Sequence, residues 1–335
     1  MRKPSIIHES EKLSRVLEIQ LGGKSLLTPT YFPAVSSYGV KPLFQDLLFF
    51  LKHHKYPRVL VSAYDLYNMK EKKREEALSL LKSYRETGFL FVDSGLFESW
   101  GKGDKSWKMK PFKSILPKVE FDLYSSFDVY RTKGRSYEDH KRRTHRNLLE
   151  SSVFLDDVAF FAILHESSPT RLVKLASEIV EEHSDLCRNV AVAERDIGKS
   201  LSERAETVVA LRRVLHDKNC HLLHILGCGN PLSMLLYSYC GADTFDSVDW
   251  VRLAIDPSNY LTHDFAHLEL LKCECKVCSE KPYSRGEYLD KLLLHNLLFY
   301  QGFVMQMQSL IRNDNIEGYA REHIGSKIID QINEY

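Results

Sequence analysis

Three cysteines, Cys273, Cys275 and Cys278, fall in a Cys-x-Cys-x-x-Cys run near the C-terminal end of the chain. The spacing is too tight for ordinary disulfides among them, but it suits three corners of a tetrahedral zinc site. A fourth ligand is then needed. His295, 17 residues after Cys278, is the foremost candidate, with His263 and His267 as rivals. Four protein ligands leave no open position for water, so the expected Zn(2+) is structural. A second chemistry is suggested by aspartates that close apolar, β-rich runs. Asp93 follows Phe89-Leu90-Phe91-Val92, Asp128 follows Ser125-Ser126-Phe127, and Asp246 follows Thr244-Phe245. One such aspartate is an ordinary turn or cap residue. Three at equivalent strand ends point to acid–base or nucleophilic work.

Residues so scattered must be gathered by a scaffold that brings strand ends together. β-rich runs predict strands near Leu26–Val35, Arg58–Ala63, Phe89–Val92, Phe121–Phe127, Val158–Leu164, Asn189–Ala193, His221–Leu226 and Thr244–Phe245. Helical patterns at Pro42–His53, Lys70–Thr87, Tyr137–Ser151, Pro169–His183, Ser202–His216 and Pro231–Cys240 lie between most of them. This alternation predicts an α/β fold, a (β/α)8 TIM barrel rather than an open sheet, with chemistry where strands end and βα loops begin. The barrel is expected over residues 1–270. Residues 271–335 are expected to form a zinc-binding subdomain and a C-terminal helix packed on the barrel, with His295 at the head of that helix's apolar pattern.

Composition sets the remaining bounds. With 335 residues, 44% hydrophobic and 27% charged, the chain reads as a globular protein able to bury a large core. No apolar leader and no run of membrane-spanning length is present, so no membrane partner is expected. Seven cysteines, three of them assigned to metal, suit a reducing cytoplasm. A net charge of +1 means that a polynucleotide would have to be met by a local patch. The stretch Arg131–Arg146 carries Arg131, Lys133, Arg135, Lys141, Arg142, Arg143 and Arg146. It reads either as a solvated helix face or as a phosphate-contacting patch beside the barrel mouth.

The cysteine run, followed by Tyr283-Ser284-Arg285, His295-Asn296-Leu297, Phe299-Tyr300 and Ile311-Arg312, resembles the zinc subdomain of the tRNA-guanine transglycosylase superfamily. Those (β/α)8 enzymes exchange a guanine for a 7-deazaguanine in an intact polynucleotide. The segment between Arg285 and His295 is shorter than the family usually has, so a trimmed helix is expected to enter the metal site. Other motifs agree in family order. Asp93-Ser94-Gly95-Leu96-Phe97 is similar to Asp-Ser-Gly-Gly-Phe, Ala191-Val192-Ala193-Glu194 to Ala-Val-Gly-Glu, Leu226-Gly227-Cys228-Gly229-Asn230-Pro231 to Met-Gly-Val-Gly-x-Pro, and Phe245-Asp246 to Phe-Asp. The resemblance implies that Asp246 is the nucleophile and Asp93 the general acid/base. Asp128 would read the Watson–Crick edge of the base, beside Ser94 and Gly227, with Phe97 and Leu226 as its apolar walls.

The chemistry such residues serve can be argued on its own. Replacing a base on an intact sugar by double displacement needs a carboxylate nucleophile on one face and a proton donor for the leaving base. The base must be drawn out of its stack, and water kept from the intermediate. Departures from the family pattern cluster around the substrate. Its Gln-Gly-Gly is His165-Glu166-Ser167, so the glutamine's contact to the base is either lost or replaced by His165; its Gln after the Asp-Ser-Gly motif is Glu98, and an Asn is Ser62. A basic run after the nucleophile is reduced to Arg252. Catalytic residues persist while tRNA-facing ones do not, which favours a DNA-guanine transglycosylase, with tRNA as the alternative substrate. The incoming base would be a 7-deazaguanine such as 7-cyano-7-deazaguanine. Arg142, Arg143, Arg146 and Arg252 are the candidate nucleic-acid contacts. A homodimer, or partner proteins of a DNA-modification system, are the assemblies left open. A third reading, a non-catalytic zinc-binding partner subunit, is opposed by the presence of both Asp93 and Asp246.

Overall fold

The computed structural model describes the chain except residues 1–3, 11–12, 41–43, 130–135, 153–157, 218–221 and 280–286. Arg131, Lys133 and Arg135 of the basic stretch, Tyr283, Ser284 and Arg285 of the motif after the cysteines, and the expected element starts Pro42 and His221 lie outside the described residues. Three short N-terminal strands, β1 (Ser5–Glu9), β2 (Arg15–Leu21) and β3 (Lys24–Leu27), form an antiparallel sheet. Eight parallel strands follow: β4 (Thr30–Val35), β5 (Arg58–Ser62), β6 (Phe89–Asp93), β7 (Leu123–Ser125), β8 (Ala159–Leu164), β9 (Asn189–Ala193), β10 (Leu222–Leu226) and β11 (Thr244–Ser247). They pair in sequence order, and β11 pairs back onto β4 to close the ring. The expected (β/α)8 barrel is the fold. A small hairpin of β12 (Leu253–Ile255) and β13 (Thr262–Asp264) follows it, before the long helix Glu287–Arg312.

Side chains alternate along each strand, so every barrel strand sends one row inward and the other against the helices. The inward row packs Phe32, Leu60, Phe91, Leu123, Phe161, Ala191 and Leu222 into one interior cluster. The outward row, including Tyr31, Val59, Leu90, Tyr124, Phe160, Val190, Leu223 and Phe245, joins the surrounding helices. The β2–β3 hairpin turns at Gly22 and Gly23, both at positive φ, and its Leu17, Ile19, Leu21 and Leu26 belong to the interior cluster. It therefore stoppers the end of the barrel where the strands begin. The apolar run expected as one strand over Leu26–Val35 is two, β3 and β4, separated at the cis Thr28–Pro29 bond. The expected Phe121–Phe127 strand keeps only three paired residues, Leu123–Ser125, with Phe121 and Asp122 before them and Ser126 and Phe127 after them outside the ladder.

The long helix begins at Glu287, so His295 lies in its third turn rather than at its head. Its buried face, with Leu297, Tyr300, Val304, Met307 and Ile311, lies in the main core. Tyr300 stacks on Tyr31 of β4 at 3.8 Å between ring centroids. No helix among the described residues is long and apolar enough to cross a membrane.

Beneath β10 and β11 a buried ionic cluster fixes the closure. Asp243 Oδ1 accepts from Arg15 Nε at 2.9 Å, while Oδ2 accepts from Arg212 at 2.8 Å and from the Leu223 amide at 2.7 Å. Asp243 is fully buried and so is Arg212. Removing one partner of a buried ion pair costs about 3–5 kcal/mol, because the other charge stays desolvated. Asp243→Ala is therefore expected to lower the unfolding free energy, read from a urea titration, by an amount of that order. A loss under about 1 kcal/mol, the range of exposed pairs, would show that the closure does not depend on this cluster.

Candidate active site and metal centre

The inward rows end together at the mouth where the strands finish. Phe89 and Phe91 lead to Asp93 on β6, Leu123 leads to Ser125 on β7, and Ala159, Phe161 and Ile163 lead to His165 past β8. On β10 and β11, Leu226 and Asp246 close the ring. Asp93, His165, Leu226 and Asp246 line a cavity of about 330 Å³ that also takes in Asp128, Phe97, Glu98, Gly227 and Arg252. Its size sits at the lower end of small-ligand sites.

Asp246 is held by one oxygen. Its Oδ1 accepts from His224 Nε2 at 3.0 Å and from the Gly227 amide at 3.1 Å. Gly227 adopts φ +72°, the left-handed conformation that turns its N–H toward the carboxylate. His224 is fully buried on β10 with Phe91 and Phe161 rings 5.2 and 5.7 Å away, and its Nδ1 lies 2.8 Å from Thr244 Oγ1. An Nε2–H tautomer, accepting at Nδ1 from the Thr244 hydroxyl, satisfies both contacts without placing a charge in the core. His224 was not among the residues expected at the site. Its signal in the sequence is a lone polar side chain inside Leu222-Leu223-His224-Ile225-Leu226, two residues before the strand end.

Asp93 meets a different environment. Its oxygens accept from Ser125 Oγ at 2.9 Å and from the Gly95 amide at 3.0 Å. Burial, and then the neighbouring Asp128, raise its pKa to about 7, against the hydrogen bonds that favour the charged form. Gly95 sits at φ +79° with its α-carbon against Ser62 and Tyr64, where no side chain fits. Asp128 accepts from Ser94 Oγ at 3.0 Å and faces His165 Nε2 at 3.3 Å, while His165 Nδ1 meets Asp196 at 2.6 Å. Burial alone would lower the His165 pKa. Hydrogen bonds to Asp128 and Asp196 outweigh it and hold the imidazole up at about 9, a cation clamped between two carboxylates.

Glu98 is buried in the same wall and accepts from Ser36 Oγ at 2.7 Å. Burial, then Asp65 and Asp93, push its pKa to about 8, so it is mostly neutral at pH 7. Glu194 enters the lining as well, held by Arg204 at 3.1 Å and the Tyr237 hydroxyl at 3.0 Å. The expected cavity residues, Asp93, Phe97, Asp128, His165, Leu226, Gly227 and Asp246, are thus brought together, with Ser94 behind Asp128. Arg252 is exposed at the rim. Arg142, Arg143 and Arg146 lie apart, on the outer helix Tyr137–Ser151.

The cysteine run and His295 converge beside β12. Sγ of Cys273, Cys275 and Cys278 lie 3.6, 3.6 and 3.3 Å from His295 Nδ1. Bond lengths of ~2.3 Å for Zn–S and ~2.05 Å for Zn–N at a tetrahedral angle place S and N about 3.6 Å apart, so the donor set fits. His295 Nε2 is 2.7 Å from the Ile255 carbonyl, which takes the ring proton and leaves Nδ1 free to ligate. His263 and His267 do not join the group. A second cluster, His145, Glu182 and His183, lies on the outer helices. There the two imidazoles contact each other at 2.9 Å and Lys141 holds Glu182 at 2.6 Å.

A family model described as Queuine tRNA-ribosyltransferase matches residues 10–327. The tRNA-guanine(15) transglycosylase of Nanoarchaeum equitans is 23% identical over 322 residues, covering 94% of this chain and 76% of its own length. Proteins of that name from Methanococcus aeolicus and Methanocaldococcus jannaschii are 22% and 21% identical, over 92% and 95% of this chain. The chain spans 50% and 51% of the length of those two relatives.

Two expectations come from this geometry. Metal analysis should find about one tightly held ion per chain, lost in Cys275→Ser together with a fall in Tm. A full ion retained in a Cys273→Ser/Cys275→Ser variant would exclude the site. The second concerns Asp93, whose pKa is near 3.8 in the unfolded chain and about 7 when folded. Between those values the folded state keeps a proton that the unfolded chain releases, so stability falls as pH rises through this window and stays reduced above it. Asp93→Asn removes that loss. Its Tm should therefore exceed the wild type by more at about pH 8 than at about pH 5. An equal difference at both pH values would contradict the raised pKa.

Proposed function

Because this chain belongs to the queuine tRNA-ribosyltransferase family, we propose that it is a guanine transglycosylase, a pentosyltransferase that exchanges a guanine in a polynucleotide for a 7-deazaguanine. The observation that carries the reading is the pairing of Asp93 and Asp246 on one cavity in two different environments. His224 and Gly227 orient Asp246 through one oxygen. The other oxygen attacks C1′ as the C1′–N9 bond breaks, and the sugar is held as an ester while the bond's electrons leave with the base. Asp93, raised to about 7, gives its proton to the departing guanine and takes one from the incoming base. That base then displaces Asp246. The Asp128 carboxylate, steadied by Ser94 and the His165 cation, accepts from the N–H groups of a guanine-type Watson–Crick edge, which adenine does not offer. Neutral Glu98 presents one donor and one acceptor, the capacity of the amide found at that position in the family.

Relatives named for tRNA match more than nine-tenths of the chain, and this supports tRNA as the substrate ahead of the DNA expected from the altered residues. The incoming base remains a 7-deazaguanine such as 7-cyano-7-deazaguanine. We assign Zn(2+) to the Cys273, Cys275, Cys278 and His295 set, because three thiols and an imidazole whose donor atoms lie within 4.8 Å of one another suit it. Bound there, it would clip the long helix to β12 and supply structure alone. Residues 1–270 and 271–335 stand as the barrel and the metal-bearing buttress, in a cytoplasmic enzyme. Arg252 at the cavity rim, with Arg142, Arg143 and Arg146, are proposed phosphate contacts.

Mixing the enzyme with tRNA and a poor acceptor base should trap a denaturation-resistant adduct. Asp246→Asn should abolish both adduct and exchange, while Asp93→Asn slows exchange by about a hundredfold to ten-thousandfold. An undiminished adduct in Asp246→Asn would exclude it as nucleophile. Competition between tRNA and duplex DNA for labelled guanine decides the substrate, and labelling of DNA alone would restore the DNA reading.

A further inference from the structure

Base exchange needs a polynucleotide held around the extracted nucleotide, and the following rests on that reading. Much of the charge on the helix Tyr137–Ser151 is already paired. Arg142 and Arg143 both meet Asp139, at 3.0 and 3.1 Å, and Lys141 lies 2.9 Å from Glu178 and 2.6 Å from Glu182. The connection leaving β6 is different. Residues 100–118 contain Lys102, Lys105, Lys108, Lys110, Lys113 and Lys118 against one acid, Asp104. Asp104 is turned onto the Ser106 amide and hydroxyl at 2.8 and 2.6 Å. Lys105, Lys108 and Lys110 are exposed, and none has an ion-pair partner among the described residues.

This segment is clamped to the cavity. It starts at Phe97 and Glu98, which line the cavity, on the short helix Leu96–Gly101. The buried Trp107 donates from Nε1 to the carbonyl of Ser94 at 3.0 Å, one residue after Asp93. Gly101 lies against the Tyr38 ring, which in turn meets Phe97 edge-on at 5.4 Å. Lys105 and Lys108 flank Trp107, so they are carried on a fixed rim. Trp100 ends 63% exposed on the same helix as Phe97.

We propose that this segment is a docking track for the polynucleotide. Lys105, Lys108 and Lys110 hold the phosphates beside the extracted nucleotide. Positive charge on an immobile rim positions a backbone without reading its sequence. Unlike the charge on the outer helix, Lys105, Lys108 and Lys110 have no ion-pair partner among the described residues, and their segment is joined directly to the cavity wall.

Fluorescently labelled unfractionated tRNA, titrated across a salt series, tests this. Each single-strand phosphate contact contributes about 0.7 to the slope of log K against log salt, so Lys105→Glu/Lys108→Glu/Lys110→Glu should flatten it by about 2. Acetylation of wild-type lysines gives an independent readout, since tRNA should protect Lys105, Lys108 and Lys110. An unchanged slope and no protection, in a protein that still binds tRNA and exchanges guanine, overturns the track and leaves the transglycosylase reading intact. Wild-type protein that neither binds nor exchanges overturns both. Flattening on reversal of Arg142, Arg143 and Arg146 alone moves the docking surface to the outer helix and overturns the track.

Discussion

Ring closure is the constraint on which the rest depends. Once β11 pairs with β4, every strand must point one row of side chains at the axis, and the two-residue period leaves no choice of which row. The inward rows are filled by aromatic and aliphatic groups from Phe32 through Leu222. They therefore end at one mouth, where Asp93, Ser125, His165 and Asp246 replace hydrocarbon with chemistry. The hairpin stopper of β2 and β3 packs into the opposite end. Asp243, at the start of β11, is tied to Arg15 of that stopper and to Arg212 of a barrel helix.

Crowding acids at a dry mouth is electrostatically costly, and the structure separates them by environment. Asp246 receives two N–H donors on one oxygen. Asp128 is matched by the His165 cation, itself shared with Asp196. Asp93 and Glu98 have no such cationic partner among the described residues, and burial among other acids leaves both with raised pKa values. Environments that push neighbouring carboxylates apart are how one site supplies both a proton donor and a nucleophile.

The metal set connects to this mouth through one helix. His295 faces the cysteines, while Asn296, the next residue, donates to the carbonyls of Trp250 and Leu253 and accepts from the Ile255 amide. One turn later, the Tyr300 hydroxyl donates to the Gly229 carbonyl at 2.7 Å. Gly229 follows Gly227, which holds Asp246, and Trp250 lies four residues beyond Asp246. A metal held by this set would therefore brace, through the helix, both loops beside Asp246.

Much of this was legible in the chain itself. Eight apolar runs with helical patterns between them determined a barrel, because both periodicities are local. The strand-end aspartates and the Cys-x-Cys-x-x-Cys spacing were visible for the same reason. What only the tertiary structure decided involves partners distant in sequence. His224 reads as a flaw in an apolar strand until Asp246, 22 residues later, comes beside it. His295 prevails over His263 and His267 because the helix Glu287–Arg312 carries it to the thiols, starting two turns earlier than its apolar pattern suggested. β1 and β2 escaped notice because their role is to plug a barrel rather than to alternate with helices. The basic run on the outer helix looked like free charge, whereas folding brought Glu178 and Glu182 from another helix onto Lys141. Composition and period reveal what a segment prefers by itself. Burial, pairing and pKa depend on what folding sets beside it, and that is decided by closure of the whole ring.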